Sequence, residues 1–405
     1  MNAPPLSVDE ALDRLLAAAA PIAGVETVPT LSALGRVLAV SQVSAIAVPP
    51  LDNSAMDGYA VRVADLAVEG ETRLPVSQRI PAGTLGQPLV LGTAARIFTG
   101  APVPPGADAV VMQEQTTREG DSVVIHGRVA PGTSIRRAGE DIAAGATVLT
   151  AGTRLAPQHL GLAASVGLAS LPVVRRLRVA TFFTGDELVN PGEPLPAGKI
   201  YNSNRYTVNA LLAGLGCEVI DLGTVADDLE TTVRVLAAAA EQADVVLTSG
   251  GVSVGEADFV KAAVERLGRL DLWRIAVKPG KPLAFGEVAG KPFLGLPGNP
   301  VSVFVTWCLF ARPFLLRLQG VMEVMPKACW LQADFDWLRP DKRREFLRAR
   351  RVADTAPPGR VEIHPHQGSG VLTSTVWAEG LVDVPAATPI RRGDWVRFIP
   401  FAELR

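Results

Sequence analysis

Cysteine is scarce and scattered. Cys217, Cys308 and Cys329 are the only three in 405 residues, and no two are close enough to make a C-x-x-C pair, so neither a disulfide framework nor a structural zinc site is suggested. The expected setting is reducing and cytoplasmic. Histidine is nearly as rare, with four residues. His364 and His366 form an H-x-H without a third His or Cys nearby, and His126 and His159 are isolated, so a histidine metal centre is not expected. A dominant charge sign is also missing: 39 Lys and Arg stand against 41 Asp and Glu, a net charge of -2, which argues against a general nucleic-acid or membrane-surface protein. The longest strongly apolar stretch, VSVFVTWCLFA from Val301, is stopped by Arg312 well short of a bilayer span. The opening residues, MNAPPLSVDE, lack the basic start of a signal peptide. No transmembrane helix and no leader are expected, and no tandem repeat is visible.

What is present is length and alternation. A chain of 405 residues exceeds one ordinary core and favours two to four domains of roughly 100 to 150 residues, with room for a cleft between them. Ser7 and Glu10 form a capping box ahead of a helical face made by Val8, Leu12, Leu15, Leu16 and Ala19, which Pro21 ends. From Val43 to Val148 short β-rich runs (RIFTG, DAVVMQ, DSVVIHG) are separated by Gly and Pro, as in an all-β lobe. Residues 155–168 read as a helix returning beside it. Between Arg178 and Gly320 strands and helices alternate, which argues for a three-layer α/β/α domain with a mostly parallel sheet whose ligands sit at the C-terminal strand ends. Beyond Pro326 the chain turns β-like again. Its basic run KRREFLRARR alternates charged and apolar residues, as on a half-exposed strand at a solvated edge that lends one arginine to a site.

Three groups of residues could carry chemistry. Thr184, Gly185, Asp186 and Glu187 follow one strand, and Thr248, Ser249, Gly250 and Gly251 follow another. Strand-to-helix loops offer unpaired N–H groups and about half an elementary positive charge from the helix dipole, so they suit anions; tight turning alone explains the glycines equally well. In VKPGKPLAFG, Lys278 and Lys281 flank a Pro-Gly turn, either a phosphate or oxyanion clamp or a solvated turn. Just after it, LPGNPVSV places Asn299 to cap a helix with Pro300 in its first position. The third group is carboxylates in loops: Asp57, Asp141, Glu187, Asp227, Asp228, Glu256 and Asp258. Each alone reads as a cap, and Asp227 and Asp228 both precede a helix. Together, beside glycine loops, they make sense around a hard divalent cation, because Mg2+ is typically held by one or two carboxylates plus phosphate oxygens and water.

Taken in order, PPLDNSAMDGYAVR, RIFTGAPVPPGADAVVMQE, IRRAGEDI, TGDELV, GKIYNSN, TSGGVSVGEADF, KPGKPLAFG and LPGNPVSV span nearly the whole chain. They resemble the molybdopterin molybdenumtransferase family, the bacterial MoeA proteins and the E domain of gephyrin. The resemblance implies insertion of molybdate into adenylylated molybdopterin, with Mg2+ as cofactor, hydrolysis of the pyrophosphate and release of AMP. It also implies a multidomain layout: residues 1–45 and 146–175 as an elongated helical and β segment, 46–145 as an inserted β-rich lobe, 176–325 as the α/β domain, and 326–405 as a C-terminal β-barrel.

Carried onto this chain, the resemblance places Glu187, Asp227 and Asp258 around metal and pyrophosphate, with Asp258 orienting the attacking water. Thr184, Gly185, Ser249, Gly250, Gly251 and Ser253 would line the nucleotide and phosphate path. Lys278, Lys281, Arg348 and Ser369 would grip molybdate, bordered by Pro297 to Ser302. Asp57, Thr99, Arg136 and Asp141 would come from the lobe and reach the cleft of a second subunit, which makes a homodimer part of the site. Arg274 stands where many relatives carry lysine, which puts a direct anion contact there in doubt. The implied partners are the small-molecule substrate, the molybdopterin adenylyltransferase and recipient molybdoenzymes. Two other readings stay open: a scaffold module that binds a partner in its groove, and insertion of tungstate, an oxyanion of nearly the same size and charge.

Overall fold

The computed structural model describes residues 4–251, 259–280, 282–353 and 359–404. Ser7 opens the first helix, Val8–Ala18: its hydroxyl accepts from the Glu10 N–H while the Glu10 carboxylate accepts from the Ser7 N–H. Two of the helix's otherwise unpaired donors are thereby satisfied. The buried face of Val8, Ala11, Leu12 and Leu15 belongs to the main core of the molecule.

The elongated segment is built from two separated pieces. Val25–Pro29 pairs antiparallel with Ser170–Val174, and Gln42–Val43 with Thr147–Leu149; the returning helix is Pro157–Ser165. Everything between is an insertion, folded as a six-stranded sheet in the order Ala109–Met112, Gly58–Val61, Ala94–Ile97, Glu71–Ile80, Ser122–His126, Thr116–Glu119. Gly58 is glycine for a steric reason, since a Cβ there would lie 1.9 Å from the Val111 carbonyl oxygen.

The α/β domain carries the order Glu218–Val225, Arg178–Thr184, Val245–Ser249, Lys291–Leu296, Pro282–Val288, Gly268–Arg274. The first four strands are mutually parallel; Pro282–Val288 runs antiparallel to Lys291–Leu296, and Gly268–Arg274 antiparallel to Pro282–Val288. Along Arg178–Thr184 side chains alternate between two cores: Val179 and Phe183 face the main one, Ala180 and Phe182 the other. Such a strand is covered on both sides, here by helices Ser203–Gly214 and Pro300–Leu318 on one face and Leu229–Gln242 and Phe259–Leu267 on the other.

Arg312 does not stop the apolar stretch as the sequence suggested. One continuous helix runs Pro300–Leu318, long and apolar enough to cross a membrane by composition, yet 83% of its apolar window is buried within the protein. Arg312 is itself buried, donating to the Val324 carbonyl at 2.9 Å. The helix widens into a π turn at Trp307–Ala311. The cause is Pro313: it has no N–H to give the Leu309 carbonyl and its ring crowds that oxygen.

The C-terminal region closes on itself. Arg344–Arg351 pairs with Arg360–Ile363 on one side and with Gly380–Val384 on the other, and Cys329–Ala333 with Trp395–Pro400 completes a five-stranded barrel, to which Val277–Lys278 adds in parallel. The run containing REFLRARR is therefore not a solvated edge. It is a doubly paired strand in which residues 345–349 are all buried. Closure supplies the cover: Leu347 and Ala349 fill the barrel while Phe346 enters the main core. Most of its charges survive burial by pairing, Arg344 with Asp383 and Glu345 with Lys278.

Asp383 ties three parts of the fold together. Its carboxylate takes two bonds of 2.7 Å from Arg344 and one of 2.8 Å from Arg397, while Arg344 reaches Asp9 of the first helix at 3.0 Å. Asp383→Ala is expected to cost about 3 kcal/mol, the lower end of the range for breaking a buried pair because both arginines keep some contact with water. Urea unfolding should show a lower midpoint at unchanged slope. An unmoved midpoint would mean that the clamp contributes nothing to the docking of barrel and helix.

Candidate functional site

The parallel register brings the chemistry to one edge. Thr184 lies beside Val225, Phe183 beside Ser249, and Ser249 beside Leu296, so the loops beginning at Gly185, Ala226, Gly250 and Pro297 emerge together. Gly250 and Gly251 adopt φ of 96° and 63°, values that favour glycine. A Cβ on Gly250 would meet the Thr184 carbonyl oxygen at 2.7 Å, and one on Gly251 would meet Thr184 Oγ1 at 2.7 Å. The close approach of the two loops thus requires the glycine pair. Thr184 Oγ1 and Thr248 Oγ1 are buried there without a hydrogen-bond partner among the described residues.

The acids crowd one side of this edge. Asp186 and Asp227 exchange bonds: the Asp186 N–H donates to Asp227 Oδ2 at 3.2 Å and the Asp227 N–H to Asp186 Oδ1 at 3.3 Å. Lys199 donates to the Asp186 carbonyl. The Glu187 carboxylate folds back over Gly185, where an added Cβ would lie 2.7 Å from Glu187 Oε2. Asp228 caps the following helix through the Thr231 N–H at 2.8 Å, so the two neighbouring aspartates divide: one caps and the other faces the acid loop. Partial burial pushes the Asp227 carboxyl above its ordinary value; the Asp186 N–H opposes this, and the charges of Asp186 and Glu187 add to it. Among the described residues no group of three or more His, Cys, Asp or Glu is arranged to hold a metal by itself. Asp258, the third acid expected here, lies outside the described residues, as do Glu256, Ser253 and Lys281.

The cationic side is built on the start of helix Pro300–Leu318. Asn299 occupies the cap position, but its side chain makes no capping bond; instead the Val301 N–H donates to the Ser369 carbonyl at 3.0 Å. Ser302 is only 4% exposed, and its hydroxyl has no hydrogen bond among the described residues. Gly280 presses on the same helix, since a Cβ there would lie 2.5 Å from Thr306 Oγ1, a buried hydroxyl that has no partner among the described residues.

Arg348 is fully buried, with no carboxylate partner among the described residues. Its Nε donates to Ser374 Oγ at 3.1 Å, and its two terminal nitrogens donate to the Phe346 and Gly368 carbonyls at 3.3 Å each. Burial pushes its guanidinium down to about 10, so it stays a cation at neutral pH. Arg348, Ser369, Val301 and Ser302 thus adjoin. Lys278 goes elsewhere: it sits opposite Glu345 in register, on the other face of the strand from Arg348. Its ammonium lies 2.9 Å from Glu345 Oε1 and 3.5 Å from Asp341. The other Glu345 oxygen accepts from Trp337 Nε1 and the Asp341 N–H, both at 2.8 Å.

The lobe residues form their own group. Asp57 Oδ1 accepts from the backbone and the hydroxyl of Thr99, each at 2.8 Å, bonds that hold its carboxyl below the usual range. Arg136 is exposed on a short strand paired with Asn53–Ser54, and Asp141 is exposed in the turn below Val48. Among the described residues no hydrogen bond or ion pair joins these four to the α/β loops of the same chain. Sequence reading had passed over Asp186 as a ligand-side acid, Glu345 as the partner of Lys278, and Asn204, whose amide donates to both Ser249 and Gly298. Nothing in the spacing of GKIYNSN distinguishes Asn204 from Asn202.

Comparison with known proteins covers all of these parts. Residues 6–167 match the MoeA N-terminal region (domain I and II), 180–317 a probable molybdopterin binding domain, and 331–401 the MoeA C-terminal region (domain IV). The chain is 48% identical over 290 residues to the molybdopterin molybdenumtransferase of Haemophilus influenzae, 71% of each chain. It is 41% identical over 372 residues to molybdopterin molybdenumtransferase 2 of Mycobacterium tuberculosis, 89% of this chain and 90% of that one. The crystal structure of a molybdopterin biosynthesis moeA protein from Pyrococcus horikoshii superposes with a TM-score of 0.85 at 30% identity, covering 98% of this chain and 100% of the other.

The crowding of acids has a measurable consequence. A carboxyl whose folded value is raised binds its proton more tightly in the native state, so Asp227 costs stability as pH rises from roughly 4, the unfolded value, through its folded value, and that cost persists above. Asp227→Asn is therefore expected to stabilise the unliganded protein at pH 7 by up to about 0.5 kcal/mol, allowing for solvent screening. The gain should vanish below about pH 4. Chemical unfolding of both proteins at pH 4 and pH 7 tests this, and a variant less stable at pH 7 would contradict it.

Proposed function

The chain belongs to the MoeA family of molybdopterin molybdenumtransferases, enzymes of molybdenum cofactor biosynthesis, and from that premise we propose that its cleft binds adenylylated molybdopterin, receives molybdate and hydrolyses the pyrophosphate. One observation carries this reading. At a single strand-end edge, crowded acids stand on one side, and Arg348, a buried cation without a counter-ion among the described residues, stands beside a helix start on the other. A substrate with a pyrophosphate, used together with a tetrahedral oxyanion, needs both.

Glu187 and Asp227 supply two hard oxygen donors whose mutual repulsion a cation would relieve, which fits Mg2+ held by two carboxylates, phosphate oxygens and water. When bound, the ion neutralises phosphate oxygens and polarises the phosphorus. The N–H groups around Gly250 and Gly251, with the dipoles of the helices that follow the loops, orient the phosphates. Asp258 is assigned the attacking water: its oxygen joins one phosphorus, the bridging P–O bond breaks, and the products are AMP and the molybdopterin phosphate monoester. Arg348, Ser302, Ser369 and Lys281 hold the oxyanion at the dithiolene sulfurs, and Lys278, tied to Glu345, sets the turn that carries Lys281. Tungstate fits the same donors.

The active unit is proposed to be a homodimer in which Asp57, Thr99, Arg136 and Asp141 complete the cleft of a second copy. Leu31, Leu34, Val40 and Val43 are exposed along the elongated segment, and Ile46 and Leu51 where the lobe begins; exposed apolar residues of this kind suit association. The adenylyltransferase that makes the substrate and the molybdoenzymes that receive the product are the proposed protein partners. A scaffold role keeps one observation in its favour, a groove of about 780 Å³ between the first helix and the barrel, bordered by the exposed Trp330 and Trp395. It leaves the crowded acids without a task.

Purified protein mixed with adenylylated molybdopterin, Mg2+ and molybdate is expected to release AMP in an oxyanion-dependent way. Asp258→Asn or Glu187→Gln should lower the rate by about 100-fold or more, the scale on which a positioned acid or base acts. Tight binding of the adenylylated substrate without AMP release would favour the scaffold reading, and release equally fast with tungstate would make the site indifferent to the metal.

A further inference from the structure

One amide stands between the two halves of the cleft. Asn204 Nδ2 donates to Ser249 Oγ at 3.0 Å and to the Gly298 carbonyl at 2.7 Å. Ser249, almost fully buried, passes the chain on: its hydroxyl donates to the Pro297 carbonyl at 2.8 Å. The Gly250 N–H reaches the Leu296 carbonyl at 3.2 Å. A primary amide has two N–H donors in one plane, and here they serve the loop after Val245–Ser249 and the loop after Lys291–Leu296.

The amide is well anchored. Asn204 lies in the first turn of helix Ser203–Gly214, and the cap of that helix is already provided by Asn202, whose side chain accepts from the Arg205 N–H and donates to Thr224 Oγ1 at 3.1 Å. The Ile200 and Asn202 N–H groups bond to the Glu187 and Val189 carbonyls at 2.8 and 2.9 Å. The segment is thus stitched to the acid loop as well. Asn204 is not needed to cap its own helix, and among the described residues its side-chain bonds go to Ser249 and Gly298, outside that helix.

We propose that Asn204 is a positioning residue that couples the nucleotide and oxyanion subsites, so that occupancy of one sets the geometry of the other. The identity of the two ligands rests on the function proposed above; the latch between the loops does not. The Ser249–Gly251 loop borders the phosphate path and the loop from Pro297 to Ser302 borders the oxyanion. A shift of either strains a shared planar group, because Ser249 Oγ and the Gly298 oxygen are held by the same nitrogen. Leucine at 204 keeps the bulk and removes both donors. Aspartate puts carboxylate oxygens opposite the Gly298 carbonyl and draws the Ser249 hydroxyl away from Pro297.

The test is a linkage measurement with AMP and molybdate as the probes. In the wild-type protein, saturating molybdate should change the AMP dissociation constant by about fivefold or more, the lower end of ordinary couplings between sites. In Asn204→Leu that factor should fall to about one, while each ligand alone still binds within roughly tenfold of wild type. Ser249→Ala should lose the same linkage, and the double variant should lose no more than either single one, the mark of residues acting as one unit. In the unliganded protein, hydrogen exchange at the Gly250 amide should be about tenfold faster in Asn204→Leu through easier local opening.

Undiminished linkage in Asn204→Leu overturns the proposal, as does linkage absent from the wild type when both ligands bind. If the wild type binds neither ligand, the functional reading fails, and the exchange rate alone decides the latch: unchanged exchange at Gly250 removes it. Should Asn204→Leu fold poorly, Ser249→Ala and Asn204→Asp carry the same comparison, and intact linkage in both would equally dispose of it.

Discussion

Parallel strand pairing is the constraint on which the rest of the structure depends. Four adjacent strands, Glu218–Val225, Arg178–Thr184, Val245–Ser249 and Lys291–Leu296, run the same way, so all four must end at one edge and their loops must share it. The acid loop, the glycine pair and the start of the long helix meet there without being near in sequence. The register also dictates the glycines. Once Phe183 lies beside Ser249, the next residues pass so close to Thr184 that a side chain at 250 or 251 has no room.

Charge is distributed around that edge in a way a stable protein would ordinarily avoid. The Asp227 carboxyl is raised first by its partial burial and further by the nearby charges of Asp186 and Glu187. A short distance along, Arg348 is buried with carbonyls and a hydroxyl for partners and no anion among the described residues. Elsewhere in the same strand charges are balanced: Arg344 has Asp383, Arg350 has Glu362, and Glu345 has Lys278. Perturbed groups of this kind tend to cluster at functional sites, although Arg312, buried with a carbonyl for its partner, shows that a desolvated cation also occurs away from this edge.

The two sides of the cleft are joined by polar bonds and not only by packing. Buried hydroxyls without partners among the described residues at Thr184, Thr248 and Thr306 lie close beneath the loops, while Ser249 is used between Asn204 and Pro297. The difference separates groups that hold the loops in place from groups left free near them. The C-terminal barrel contributes to the same edge by lending Arg348 and the carbonyl of Ser369. Its docking is secured far from the chemistry by Asp383, Arg344 and Asp9.

The sequence by itself determined the alternation of the α/β domain, the inserted lobe, the first helix with its capping box and the membership of the family, because these rest on local periodicity and on motifs that are short and contiguous. It also picked out the residues at the ends of two parallel strands, Thr184 to Glu187 and Ser249 to Gly251, since loops that follow strands announce themselves by Gly, Asp and Ser. The burial of REFLRARR was decided only when the barrel closed, because alternation looks the same on an edge strand and on one covered from both faces. So was the fate of Arg312, where a charge reads as the end of an apolar run until a carbonyl from the next segment accepts a hydrogen bond from it. The pairing of Lys278 with Glu345, the division of labour between Asp227 and Asp228, and the reach of Asn204 across two loops belong to the tertiary structure alone. Each depends on which atoms converge in space from elements dozens of residues apart, and a linear pattern carries no distances.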